Sequence, residues 1–371
     1  MRLYFFLCLF VVPALVGGQT TKSAKKILIV VSSYGKKEGK QRPGFEFDEF
    51  SQAWLIFKSN GLTMDVASPK GGYAEPDEYN KTKPYNKAVI EDANAMATLN
   101  NTIPTAQIKP ELYSAVYVVG GKGAMFDLPF DPSLQEIIAN IYQKQNGVVA
   151  AVCHGPAALV NVKINDSTFL LKNKTVSGFS NEEEEKFGKT WAKEFPFMLE
   201  DKLKARAVKY EHSEAMLPQV SVDGRLITGQ NPFSTIWLAE EIVKSLGITP
   251  AKRELYKDER SMQLVKRVLK GELVWAQQEI TANNTLYDLQ LIAVYGYYKL
   301  LYAKGNTAEL NKGIQIIELV TPWVFNENLQ YQMAKAYLEL NNKEKAKTIL
   351  QEIITKKPAF VNAKKLLDEI K

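Results

Sequence analysis

The sequence predicts an α/β protein, a doubly wound parallel sheet followed by an all-α helical extension. Three observations predict it. Strand-like and helical segments alternate from Lys25 to Gly247, the strand-like runs are Val-rich and apolar at consecutive positions, and after Ile248-Thr249-Pro250 the strand signal ends. Strands that carry no apolar/polar alternation are buried on both faces, the condition of a parallel sheet covered by crossover helices.

Taken in order, strands are expected at 27–31, 63–67, 115–119, 148–152 and 175–177. Between them, residues 47–59 place apolar side chains at helical spacing, and 134–143 follow an Asp131-Pro132 start signal. Residues 25–248 are therefore expected to form one α/β domain. From 252 to 371 helix follows helix, interrupted at Gly271, Asn283-Asn284, Gly305-Asn306, Pro322 and Asn341-Asn342. Ala334, Tyr337, Ala346, Leu350 and Pro358 have the spacing of a tetratricopeptide repeat, with a weaker copy thirty-six residues upstream. A small helical-repeat domain, or a plain bundle buttressing the first domain, fits this pattern.

Residues 1–18 read as a signal peptide: one Arg, an apolar run too short to span a bilayer, then small residues before a Lys-rich segment. Export, secreted or periplasmic, is the expectation. Cys8 would leave with that leader, so Cys153 becomes the one cysteine of the mature chain and no intrachain disulfide can form. The formal charge is +6, with nineteen Lys/Arg against fourteen Asp/Glu from Lys252 onward. That excess sits on helical faces without an Arg-rich stripe or a stacking aromatic set, which argues against a nucleic-acid partner. Two histidines and one cysteine do not make a zinc cluster, and no metal or cofactor is expected.

Cys153 stands where the apolar run 148–152 meets His154-Gly155-Pro156. Gly155 allows a close backbone approach and Pro156 suits a first helical position, so the run reads as strand, tight turn and helix. A thiol at a helix N-terminus is expected to favour its thiolate. His154 is beside it as a base, whereas His212, in Tyr210-Glu211-His212-Ser213-Glu214, reads as a surface loop residue.

Four motifs carry a family resemblance. Ala151-Val152-Cys153-His154-Gly155-Pro156, the run from Val119 to Asp127, Val66-Ala67-Ser68-Pro69-Lys70-Gly71-Gly72 and the run from Leu226 to Pro232 resemble those of the ThiJ/PfpI superfamily. They are most similar to its heat-shock chaperone and glutathione-independent glyoxalase branch, often labelled type 1 glutamine amidotransferase-like. The resemblance covers residues 26–246 and implies a flavodoxin-like core. It implies catalytic Cys153, His154 and Glu49, with Glu184 as a third carboxylate, although Ser180 and Glu183 make a capping box that accounts for acids at that helix start equally well. Gly120 and Gly121 with the His154 backbone N–H would form an oxyanion hole. Lys122 replaces the family's usual histidine, and its amine could either support a thiolate or occlude the pocket.

The implied activity is conversion of methylglyoxal and related 2-oxoaldehydes to 2-hydroxy acids, of the D-lactate dehydratase or glyoxalase III type. A small reactive aldehyde would be the substrate, with a protein partner for the C-terminal helices and a homodimer both left open. The alternative is an exported holdase chaperone or partner-binding module with a non-catalytic or redox-sensing cysteine. An amidotransferase or peptidase would need His212 and Glu214 beside the cysteine.

Overall fold

A computed structural model describes residues 25–188 and 190–370. The leader expected at 1–18 lies outside these residues. The first part of the chain runs through β1 (Lys26–Val30), α1 (Phe47–Ser59), β2 (Thr63–Ser68), α2 (Pro84–Ile90), α3 (Ala93–Asn100), β3 (Ile103–Pro104), β4 (Ala115–Val118), α4 (Pro132–Gln143) and β5 (Val148–Val152). It continues through β6 (Thr175–Val176), α5 (Asn181–Phe187), α6 (Leu199–Lys204), β7 (Lys209–Tyr210), β8 (Val220–Asp223), β9 (Leu226–Gly229) and α7 (Thr235–Ser245).

Seven strands form one sheet in the order β3-β2-β1-β4-β5-β9-β8, parallel except for the edge strand β8. The side chains of β4 and β5 are fully buried, as are Ile27 to Val31, because helices cover both faces. The strand order reverses between β1 and β4, so the loops leaving the carboxyl ends of β1, β4 and β5 meet in one crevice. This crevice receives the Gly120-Gly121 loop and Cys153.

One strand expectation needs correcting. Residues 175–177 do not join the main sheet: Thr175–Val176 pairs with Lys209–Tyr210 in a separate two-stranded ribbon. The place beside β5 is taken by β9, whose four residues are all buried, and β8 folds back on it through Gly224-Arg225 with Gly224 at φ +60°. Its Leu-Ile-Thr-Gly run is too short to display a period, so only its pairing with β5 reveals it as a strand.

The helical part comprises α8 (Lys257–Leu269), α9 (Leu273–Asn283), α10 (Leu289–Leu301), α11 (Thr307–Glu318), α12 (Glu327–Glu339), α13 (Lys343–Lys356) and α14 (Val361–Glu369). The breaks fall at the Gly, Asn and Pro positions expected from the sequence. Asn306 and Asn342 cap α11 and α13 by accepting backbone N–H groups. Ala334, Ala346 and Leu350 are fully buried and Tyr337 nearly so, inside a second apolar cluster. That cluster takes in Met216 and Leu217 from the loop before β8, so the tail packs directly on the α/β part.

Candidate active site

Cys153 follows β5 and adopts φ 59°, in the left-handed region that a residue with a Cβ seldom occupies. Backbone pairing on both sides holds it there. Its N–H donates to the Gly229 carbonyl at 2.9 Å and its carbonyl accepts from Phe179 N–H at 2.8 Å. The strain presents the sulfur to the crevice, as in a nucleophile elbow. The segment that follows is a five-residue 3₁₀ turn, Gly155–Leu159, and not the α-helix expected from Pro156. So short a turn lacks the aligned peptides of a macrodipole, which removes the reason for a low thiol pKa. In fact burial pushes the Cys153 thiol up, the charges of Glu49 and Glu46 push it further, and only the Gly121 N–H draws it down.

Glu49 comes from the first turn of α1 and is fully buried. One carboxyl oxygen accepts from Gly120 N–H at 2.7 Å. The carboxyl also interacts with the nearby Cys153 thiol, and its Oε1 is buried with no hydrogen-bond partner. Burial and the charge of Glu46 raise the Glu49 pKa well above the carboxylate range. Glu49 therefore holds its proton, and a neutral carboxyl both removes the repulsion that otherwise raises the thiol and can donate to a thiolate. Gly120 makes this contact possible, since a Cβ there would lie 2.7 Å from both the Cys153 Cβ and the Glu49 carboxyl oxygen.

His154 is buried on the other side of the sulfur. Its Nδ1 lies 3.4 Å from the Cys153 Sγ, and its Nε2 lies 2.6 Å from Glu184 Oε1. A proton on Nε2 donated to Glu184 leaves Nδ1 as the acceptor facing sulfur. Phe179 and Phe195 pack against the ring and fix its plane. Three of the four consecutive glutamates of α5 divide the work. Glu184 meets His154, Glu182 pairs with Lys186, and Glu183 closes the capping box with Ser180. Glu183 also receives Asn231 Nδ2 at 2.8 Å, Gln230 Nε2 at 3.0 Å and Met216 N–H at 3.1 Å. The motif around Gln230-Asn231 therefore ties α5 in place.

The sulfur and imidazole open into a pocket of about 270 Å³ whose lining includes Gly121, Lys122, Glu46 and Asp77. Lys122 leaves it open. Its charge acts on Glu46 and Asp77, drawing both down against burial. Glu46 is raised to about 7 by burial and by the charges of Asp48 and Asp77. Sequence reasoning missed it because it also caps α1, its carboxylate accepting from Asp48 N–H at 3.4 Å, an ordinary task for an acid there. His212 is exposed, and neither it nor Glu214 lines the pocket; Glu214 instead binds Lys299 and Tyr295. Among the described residues no group of three or more His, Cys, Asp or Glu side chains could hold a metal ion.

A family model described as the DJ-1/PfpI family matches residues 41–245. Glutathione-independent glyoxalase hsp3102 of Schizosaccharomyces pombe is 31% identical over 248 residues, 61% of this chain and 98% of its own length. Among solved structures, the Rapid Encystment Protein 24 KDa of Francisella tularensis superposes with a TM-score of 0.56 at 31% identity, over 60% of this chain and 99% of that one. Glyoxalase III of Candida albicans does so with a TM-score of 0.55 at 26% identity, over 60% of this chain and 97% of its own. The family match spans more than half of the chain and contains Cys153, His154, Glu49 and Glu184; the chain belongs to the DJ-1/PfpI family.

Proposed function

We propose that this protein converts methylglyoxal and related 2-oxoaldehydes to 2-hydroxy acids without glutathione, D-lactate being the product from methylglyoxal, with Cys153 as nucleophile. The observation that carries this reading is the strained, buried Cys153 beside a buried, proton-holding Glu49 and within hydrogen-bonding reach of a Glu184-oriented His154. Relatives named glutathione-independent glyoxalases, similar over nearly their whole length, support the reaction class.

The Cys153 thiolate adds to the aldehyde carbon, and the proton held on Glu49 passes to the new alkoxide, which the Gly121 N–H faces. Glu49, now a carboxylate, or His154 removes the proton from that carbon and returns it to the neighbouring one through an enediol, leaving a thioester. Water then cleaves the thioester, with His154 Nδ1 as base, and thiol and acid separate. One water is consumed and no electron leaves the substrate: the aldehyde carbon is oxidised as the ketone carbon is reduced. General acid–base steps of this type are worth about 10²–10⁴-fold each.

Cys153→Ala is expected to abolish lactate formation from methylglyoxal while its thermal unfolding stays cooperative. Wild-type turnover by that variant would refute the mechanism. Export through the 1–18 leader is a further part of the proposal, checked by N-terminal sequencing of the protein recovered from its native compartment.

A further inference from the structure

We propose that the helical tail sets the size of substrate this site accepts. Tyr298 and Val294 of α10 form the binding surface for the group attached to the ketone carbon, and the favoured substrates are 2-oxoaldehydes with an aromatic or branched apolar group. This inference rests on the 2-oxoaldehyde reading given under Proposed function.

The pocket that holds Cys153 and His154 is lined on its apolar side by Phe187, Met216, Phe233, Val294 and Tyr298. Two of these belong to α10. They stand four residues apart and so share one helical face. Val294 is 41% exposed although it is apolar, and the Tyr298 ring packs edge-to-face on Phe187 with centroids 5.0 Å apart. An exposed valine beside an aromatic pair, opening onto a reactive sulfur, is apolar surface that a substrate group would take out of water. At about 270 Å³ the pocket nears the lower end of the roughly 300–1,000 Å³ range that encloses drug-sized ligands. A three-carbon aldehyde leaves most of it unfilled.

This wall is held firmly in place. The buried Lys299 ammonium joins Glu214 of the α/β part, at 2.7 Å, to Glu309 of α11, and Tyr295 donates to the same Glu214 at 3.0 Å. Lys304 reaches Glu185 of α5 at 3.1 Å, which couples the tail to the helix that carries Glu184. The glyoxalase relatives align over nearly their full length with about 60% of this chain, which leaves α10 without a counterpart in them. Selectivity built on Tyr298 and Val294 is thus a property of this chain.

The test compares kcat/KM for phenylglyoxal and methylglyoxal in the full-length protein, in Tyr298→Ala, in Tyr298→Phe and in Val294→Trp. The wild type should prefer phenylglyoxal by about tenfold or more, mostly through KM, as apolar complementarity in a pocket gives. Tyr298→Ala should reduce that ratio about tenfold, Tyr298→Phe should retain it, and Val294→Trp, which adds bulk at an exposed position, should lower it by filling the pocket. A wild-type ratio near one, or a ratio unmoved by both Tyr298→Ala and Val294→Trp, overturns the proposal. Failure of the wild type to turn over either aldehyde would refute the reaction reading instead. The wall is then read from alkylation of Cys153 by N-phenylmaleimide and N-methylmaleimide. A rate ratio that falls severalfold in Tyr298→Ala upholds the tail as a size filter, and an unchanged ratio sinks it.

Discussion

Cys153 and Glu49 compete for ionisation in a site where burial raises both groups. Glu46 decides how severe that competition is, because its charge raises both groups and its own pKa is about 7. The sign of its effect on stability follows from proton uptake. A carboxyl raised from 4.5 to about 7 on folding binds more protons in the native state through that interval, so its contribution is complete below about pH 4.5 and is lost as the pH rises through about 7. The loss is on the order of 3 kcal/mol. Glu46→Gln keeps an acceptor for the Asp48 N–H but cannot ionise. Urea unfolding at pH 5 and pH 8 should therefore show the wild type losing more stability between the two than the variant. Equal losses would mean that Glu46 is already ionised at pH 5.

At the scale of elements, the site depends on close approaches that only glycine allows. Gly120 brings the loop after β4 against Cys153, and in the tail Gly296 lets α10 cross α11. A Cβ on Gly296 would stand 2.5 Å from Ile317 Cγ1 and 3.1 Å from the Gly313 carbonyl oxygen. Gly296→Val should force the two helices apart and destabilise the protein by about 1–3 kcal/mol, the usual penalty of overpacking. The measurement is the denaturant midpoint, with an unshifted midpoint counting against this contact. Since α10 bears Val294 and Tyr298, the same change should blunt phenylglyoxal turnover.

For the whole molecule, the two parts share apolar surface and cannot be separated freely. Met216 and Leu217 are buried in the tail's cluster, and Phe187 and Phe233 pack partly against it. Ending the chain at residue 250 uncovers all four. With about 1.5–3 kcal/mol for each large side chain fully returned to water, the loss is at least about 3 kcal/mol. A fall in Tm of about 10 °C should follow for a domain of this size. Calorimetry of the truncated protein checks this, and an unchanged Tm would show that the tail merely rests on the surface.

Much of this was legible in the sequence because its signals are local. Unbroken apolar runs determined the buried parallel strands, the Gly, Asn and Pro breaks determined the helix ends, the motif around Cys153 placed the thiol on a turn, and the family resemblance implied that Glu49 and Glu184 meet it in the crevice. Signals that depend on surroundings were not legible. The short run of β9 became a strand only by pairing with β5, and the turn after Cys153 became 3₁₀ where an α-helix was expected. The thiol's protonation, the near-neutral pKa of Glu46 and the entry of Val294 and Tyr298 into the pocket arise from groups brought together across tens or hundreds of residues. Periodicity and spacing record which face a side chain presents along its own element, whereas desolvation, charge coupling and pocket shape depend on what packs against that face, and only the tertiary structure decided that.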